Sequence, residues 1–167
     1  MPDRVHIIGV GSPFGDDRLG WVAAEALQRS SVVKAVESGQ IVISILDRPG
    51  TMLLAHWQDA GIVIVIDAVR SGALPGTCFR FDAGEWAVSG LQASSHGFGV
   101  AAALELARAL GDLPSRLLVR GVEIDPSRSG FGLSRAVARV LPVFVREIEA
   151  ETLQLAKTGL PGMSRAS

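Results

Sequence analysis

The chain has 167 residues, 48% of them hydrophobic and 20% charged, with a formal net charge of -1. That length and balance describe one ordinary globular domain and exclude a disordered segment. The near-neutral charge removes the general attraction that a nucleic-acid or anionic-membrane binder needs, so neither is an expected partner.

The single cysteine, Cys78, excludes an intramolecular disulfide framework and a cysteine-rich zinc module. It fits a reducing compartment, and the expected location is the cytoplasm. The most hydrophobic stretch, Ile62 to Ile66, ends at Asp67, short of the roughly 18 apolar residues of a membrane span. Val5 to Val10 is too short for a signal-peptide core of about 7 residues or more, so the N-terminus is expected to belong to the fold.

In chain order, Arg4 to Val10 is a short apolar run rich in β-branched residues and predicts a strand buried on both faces. A loop of turn formers, Gly11 to Asp17, follows it. From Arg18 to Arg29, Leu19, Val22, Ala23, Ala26 and Leu27 recur at three- and four-residue spacing, which predicts a helix with one stripe on a core. The alternation continues with a strand at Gln40 to Leu46, a helix near Thr51 to Gln58 and a strand at Ile62 to Ile66. Thr77 to Phe81, introduced by Pro75-Gly76, alternates like a half-exposed strand at a sheet edge.

Gly97 to Leu110 predicts a helix capped by Gly111, and Leu117 to Val122 a strand. Ser134 to about Gln154 predicts a long amphipathic helix in which Pro142 should cause a kink or a break. The expected architecture is a three-layer α/β/α sandwich with a mostly parallel twisted sheet. One domain over 1–157 is expected, with a loose tail over 158–167.

In such sheets ligands bind outside the carboxyl ends of the strands. Asp67 follows a buried run at such an end, although Asp also suits a cap or turn there. Asp16 and Asp17 end the first loop, where one of them should cap the first helix and the other is left for a site. His96 stands before a third helix on the same edge. Together Asp17, Asp67 and His96 would offer two oxygens and one nitrogen, a set suited to a borderline divalent metal with open positions. His6 and His56 read as packed or surface histidines, and Cys78 as a small strand residue.

Gly9, Gly11 and Gly15 raise a competing dinucleotide site of the Rossmann type. Their spacing departs from G-x-G-x-x-G, and two carboxylates at the helix N-terminus would repel a pyrophosphate.

Three segments carry a family resemblance. Gly9-Val-Gly-Ser-Pro-Phe-Gly-Asp-Asp-Arg-Leu-Gly20, then Val65-Ile-Asp-Ala-Val69 with Pro75-Gly76-Thr77, then Ser94-Ser-His-Gly97 resemble the signature segments of the hydrogenase maturation proteases. The likeness runs from about Val5 to Glu147 and includes Gly121-Val-Glu123 and Gly130-Phe-Gly-Leu-Ser134. It implies an α/β/α endopeptidase that trims the C-terminal extension of a nickel-iron hydrogenase large-subunit precursor after nickel insertion. Its implied metal-binding trio falls on Asp17, Asp67 and His96, with Asp17 chosen because the family's ligand is the second acid of the pair. Asp47 resembles a further acidic position near the site.

The nickel is implied to arrive with the precursor, and zinc or cadmium is expected to substitute for it in crystals. Two departures stand out: the loop from Gly11 to Asp16 is one residue shorter than the family's, and Arg48-Pro-Gly-Thr51 replaces a Gly-Gly-Thr type turn. They keep open a non-catalytic precursor-binding or metal-sensing module of the same fold.

Overall fold

β-Branched and other aliphatic residues dominate the segments that pair, because such side chains pack well on a pleated surface. The computed structural model describes residues 4–36, 38–58, 60–83, 100–125, 127 and 130–158. Within it Val5–Gly11 (β1), Ile41–Asp47 (β2), Ile62–Val69 (β3), Cys78–Asp82 (β4) and Arg116–Glu123 (β5) form one sheet in the order β2-β1-β3-β5-β4. The first, second, third and fifth strands run parallel, and β4 pairs antiparallel with β5 at the edge.

β3 is buried at all eight positions, as expected of a central parallel strand covered on both sides. It runs three residues past the predicted end at Ile66, since its pairing with β5 continues through Asp67–Gly121 to Val69–Glu123. Asp67 therefore lies inside a strand and not after one.

Alternation along the strands sends side chains into two cores. Ile62, Ile64 and Ile66 join Leu19, Leu27, Phe144 and Ile148 on one face, and Val63 and Val65 join Leu53, Trp57, Leu104 and Ala107 on the other. The first face is covered by Leu19–Arg29 (α1) and Arg135–Thr158 (α5), the second by Leu53–Trp57 (α3) and Ala101–Leu110 (α4). A short Ser31–Lys34 helix (α2) follows α1. This is the expected three-layer sandwich. Gly111 takes the left-handed conformation at φ 68° and ends α4, as its position predicts.

Of the expected kink or break at Pro142, the break is absent: α5 runs through the proline. Pro142 and Ala138, whose carbonyl loses its donor, both lie on the exposed side, where water can take the missing bond. Val137, Leu141, Phe144 and Ile148 keep the buried side seated across the proline. The helix also extends to Thr158, whose hydroxyl donates to the Gln154 carbonyl. The start of the helix predicted from Gly97, and the stretch beyond Thr158, lie outside the described residues.

One charged contact ties β5 to α5. Arg120 is buried, its Nε donates to Glu151 at 2.9 Å, and its Nη1 donates to the Phe81 and Val119 carbonyls at 3.0 Å each. Glu151→Ala leaves that guanidinium buried and uncompensated, so denaturant unfolding should show a loss of about 3 kcal/mol. An unchanged midpoint would mean that Arg120 finds water once its partner is gone.

Candidate functional site

Strand order reverses direction at β1: the chain moves outward to β2, then returns to place β3 on the other side of β1. Such a reversal leaves a crevice beyond the carboxyl ends of the two strands, because their outgoing connections diverge. A cleft of about 450 Å³ opens there, lined by Val10, Gly11, Asp17, Arg48, Asp67 and Arg70 among others.

The loop that brings Asp17 to this cleft is held by close backbone approach. A Cβ on Gly20 would sit 2.6 Å from the Ile66 carbonyl oxygen and closer still to that of Val10, and one on Gly11 would overlap the Asp17 carbonyl. The Ser12 amide donates to that same Asp17 carbonyl at 3.2 Å. Gly9 likewise has no room for a Cβ against α1. Glycine at 9, 11 and 20 thus serves the packing of a 3₁₀ turn, Gly15–Arg18, and α1 on the sheet. The dinucleotide reading loses its main support.

Asp16 and Asp17 take different roles: Asp17 reaches the cleft as expected, whereas Asp16 does not cap α1. Asp16 is buried, and its Oδ1 accepts the Ser134 amide, while the Ser134 hydroxyl accepts from the Val137 amide at 3.3 Å. The acid therefore caps α5 through Ser134, where the helix dipole favours negative charge. α1 has no side-chain cap. Asp17 is partly exposed, and its Oδ1 accepts from Arg70 Nη2 at 3.2 Å.

Asp67 is only 4% exposed, and its Oδ1 accepts the Ala68 amide at 2.8 Å. Asp47 ends β2 level with Gly11 and is exposed, with its carboxylate 2.7 Å from Arg48 Nε. That pairing raises the Arg48 pKa, hydrogen bonding to Asp47 being the main cause. Arg48 itself adopts φ 39°, a left-handed conformation that costs a residue with a side chain of order 1 kcal/mol.

Asp17 and Asp67 thus line one cleft, Asp47 flanks it through Arg48, and His96 lies outside the described residues. Among the described residues no three His, Cys, Asp or Glu side chains stand close enough to hold a metal ion.

The remaining candidates sit elsewhere. His6, near the start of β1, bonds Ser44 Oγ at 2.8 Å, and burial together with nearby His56 holds its imidazole below the usual range. His56 is exposed on α3. Burial, with Glu147 nearby, pushes the Cys78 thiol up, which leaves it a poor nucleophile at neutral pH.

Sequence reading missed two residues. Arg70 is the cation on Asp17, and a charged residue just past the apolar run is its only signal in the sequence. Glu123, 1% exposed, accepts from the Ser71 amide and hydroxyl and from the Gly72 amide at 2.8–3.1 Å. It fixes the loop from which Arg70 projects.

Fold and site define a doubly wound α/β/α protein with a switch-point cleft lined by two carboxylates and two arginines. The chain belongs to the hydrogenase maturation protease family, whose model matches residues 44–151. It is 34% identical over 127 residues to the hydrogenase expression/formation protein HupD of Thiocapsa roseopersicina, covering 72% of this chain and 54% of that one. The chain thus spans about half the length of that curated relative.

Among solved structures, the hydrogenase maturating endopeptidase HybD from Escherichia coli shares the fold at TM-score 0.71 and 24% identity, over 93% of this chain and 94% of that one. The [NiFe] hydrogenase maturation protease HybD from Thermococcus kodakarensis superposes at TM-score 0.65 with 25% identity, over 89% and 99%.

Proposed function

We propose that this chain is a cytoplasmic endopeptidase that removes the C-terminal extension of a nickel-iron hydrogenase large-subunit precursor once nickel is in place. The observation that carries the reading is the meeting of Asp17, from the turn after β1, and Asp67, from within β3, in one cleft of a chain of this family. Carboxylate oxygens, with the imidazole of His96 added, form a donor set that suits a borderline divalent ion.

A polypeptide substrate fits the rim as well. Phe14, Met52, Leu74 and Phe131 are large, exposed and apolar, and they stand on the connections leaving the carboxyl ends of β1, β2, β3 and β5, with the Phe14 and Phe131 rings 6.4 Å apart. Exposed apolar side chains gathered on one edge of a fold suit a surface that takes a protein partner.

The nickel carried by the precursor would either supply Lewis acidity next to the bond to be cut or hold the chain in place while a carboxylate acts as base. This chain's contribution is donor atoms from Asp17, Asp67 and His96, with Asp47 beside them as a further carboxylate. Three donors at an open cleft hold a free ion weakly, so the metal state of the partner decides whether the site is complete.

The test mixes the purified chain with its matched large-subunit precursor, prepared with and without nickel, and follows the mass of the large subunit. Only the nickel-loaded form should be shortened. Efficient cutting of the nickel-free form, or a zinc ion held permanently by this chain, would indicate a conventional metallopeptidase. Binding of both forms without cutting would favour the non-catalytic module.

A further inference from the structure

The charges in the cleft oppose the entry of a bare cation. Arg48 and Arg70 line it together with Asp17 and Asp67, so among its described residues two positive charges face two negative ones. Arg48 is held by Asp47, whereas Arg70 is held by Asp17 itself at 3.2 Å. A divalent ion that used the Asp17 carboxylate would have to displace the Arg70 guanidinium or lie beside it.

Displacement is mechanically simple. The Arg70 side chain is 47% exposed, so solvent screens the pair and leaving its partner costs little. Its base does not move with it, because buried Glu123 grips the next two residues, Ser71 and Gly72. Arg70 also lines a second cleft of about 370 Å³, with Gly72, Pro75, Ile124 and Asp125. Arg70 is therefore shared by two clefts, and its guanidinium can leave Asp17 for the second while its backbone stays in place.

We propose that Arg70 determines specificity in this cleft, occupying Asp17 in the free protein and yielding it only when a metal arrives with a polypeptide that gives the guanidinium another acceptor. The inference rests on the proposed ligand role of Asp17 and Asp67. It adds a reason why free cations do not load the site: the nearest competing cation is part of the chain. An extended peptide running from the first cleft into the second would pass Arg70 and offer it main-chain carbonyls or a carboxylate. Substrate binding and release of Asp17 then become one event.

The experiment is isothermal titration of cadmium chloride into the isolated full chain, with Asp67→Asn as the control on the site. At low salt Arg70→Gln should bind cadmium about tenfold more tightly than the unsubstituted chain, since a unit charge beside a divalent ion is removed. The gain should shrink in about 1 M salt, where exposed charges are screened. Arg70→Lys keeps the charge and should stay near the original affinity, and adding Asp17→Asn to Arg70→Gln should remove the gain.

If Arg70→Gln binds no tighter while Asp67→Asn still weakens cadmium, the ligand reading stands and the role given to Arg70 is wrong. If neither Asp17→Asn nor Asp67→Asn alters cadmium affinity in either background, the ligand pair fails and takes the Arg70 proposal with it.

Discussion

Gly20→Ala is expected to destabilise the protein by about 3 kcal/mol, lowering the thermal midpoint by roughly 10 °C for a chain of this size. Local reasoning gives the opposite sign. Gly20 is the second residue of α1, and alanine there should gain up to about 1 kcal/mol of helix propensity. Packing reverses the outcome, because the added methyl would stand 2.6 Å from the Ile66 carbonyl oxygen and closer to that of Val10. Both obstacles are backbone in the centre of the sheet, and neither can rotate away.

The helix would have to lift off β1 and β3, opening the core formed by Leu19, Ala23 and Leu27. Gly132→Ala is the matched control, since nothing lies within 4 Å of its Cβ position, and it should change stability by no more than about 0.5 kcal/mol. A midpoint for Gly20→Ala equal to or above the original would show that α1 is not seated on glycine contacts.

That example marks where sequence reading reaches and where it stops. The alternation of apolar runs and helical stripes gave away the layers, because burial on both faces of β3 and on one stripe of α1 is written as period and composition. The edge position of β4 was equally readable in its half-polar alternation, and the left-handed cap in Gly111. Contacts distant in sequence were not readable. Asp16 looks like a cap for the helix it precedes, but its carboxylate is taken by Ser134, 118 positions away, and nothing local reports that.

Asp67 looks like the residue after a strand because the apolar run stops there. The parallel ladder to β5 continues regardless, since backbone pairing does not depend on an apolar side chain. Pro142 looks like a break until the solvent-facing side of α5 is known. Arg70 carries no pattern at all: an arginine past a strand end is ordinary, and only the fold places it on Asp17. The candidate acids were thus flagged by the end of an apolar run and of the first loop, and the group that pairs with one of them was not.

Asp67→Asn is expected to reduce precursor processing by more than about a hundredfold, since altering even a residue that only supports a metal ligand costs 10- to 100-fold. The fold should survive, although Asp67 is 4% exposed within a strand buried along its whole length. Asparagine has the same shape, and its amide oxygen can still accept the Ala68 N–H that Oδ1 accepts at 2.8 Å, so the change in stability should stay within about 1 kcal/mol. What is lost is the negative charge, which a divalent ion requires and a backbone hydrogen bond does not.

The two roles therefore separate in one variant, with circular dichroism and unfolding reporting the bond and the mass of the large subunit reporting the charge. An unfolded Asp67→Asn would show that the carboxylate is there for the strand. A folded variant that still shortens nickel-loaded precursor at the original rate would remove Asp67 from the machinery and leave Asp17 and Asp47 as the acids to test.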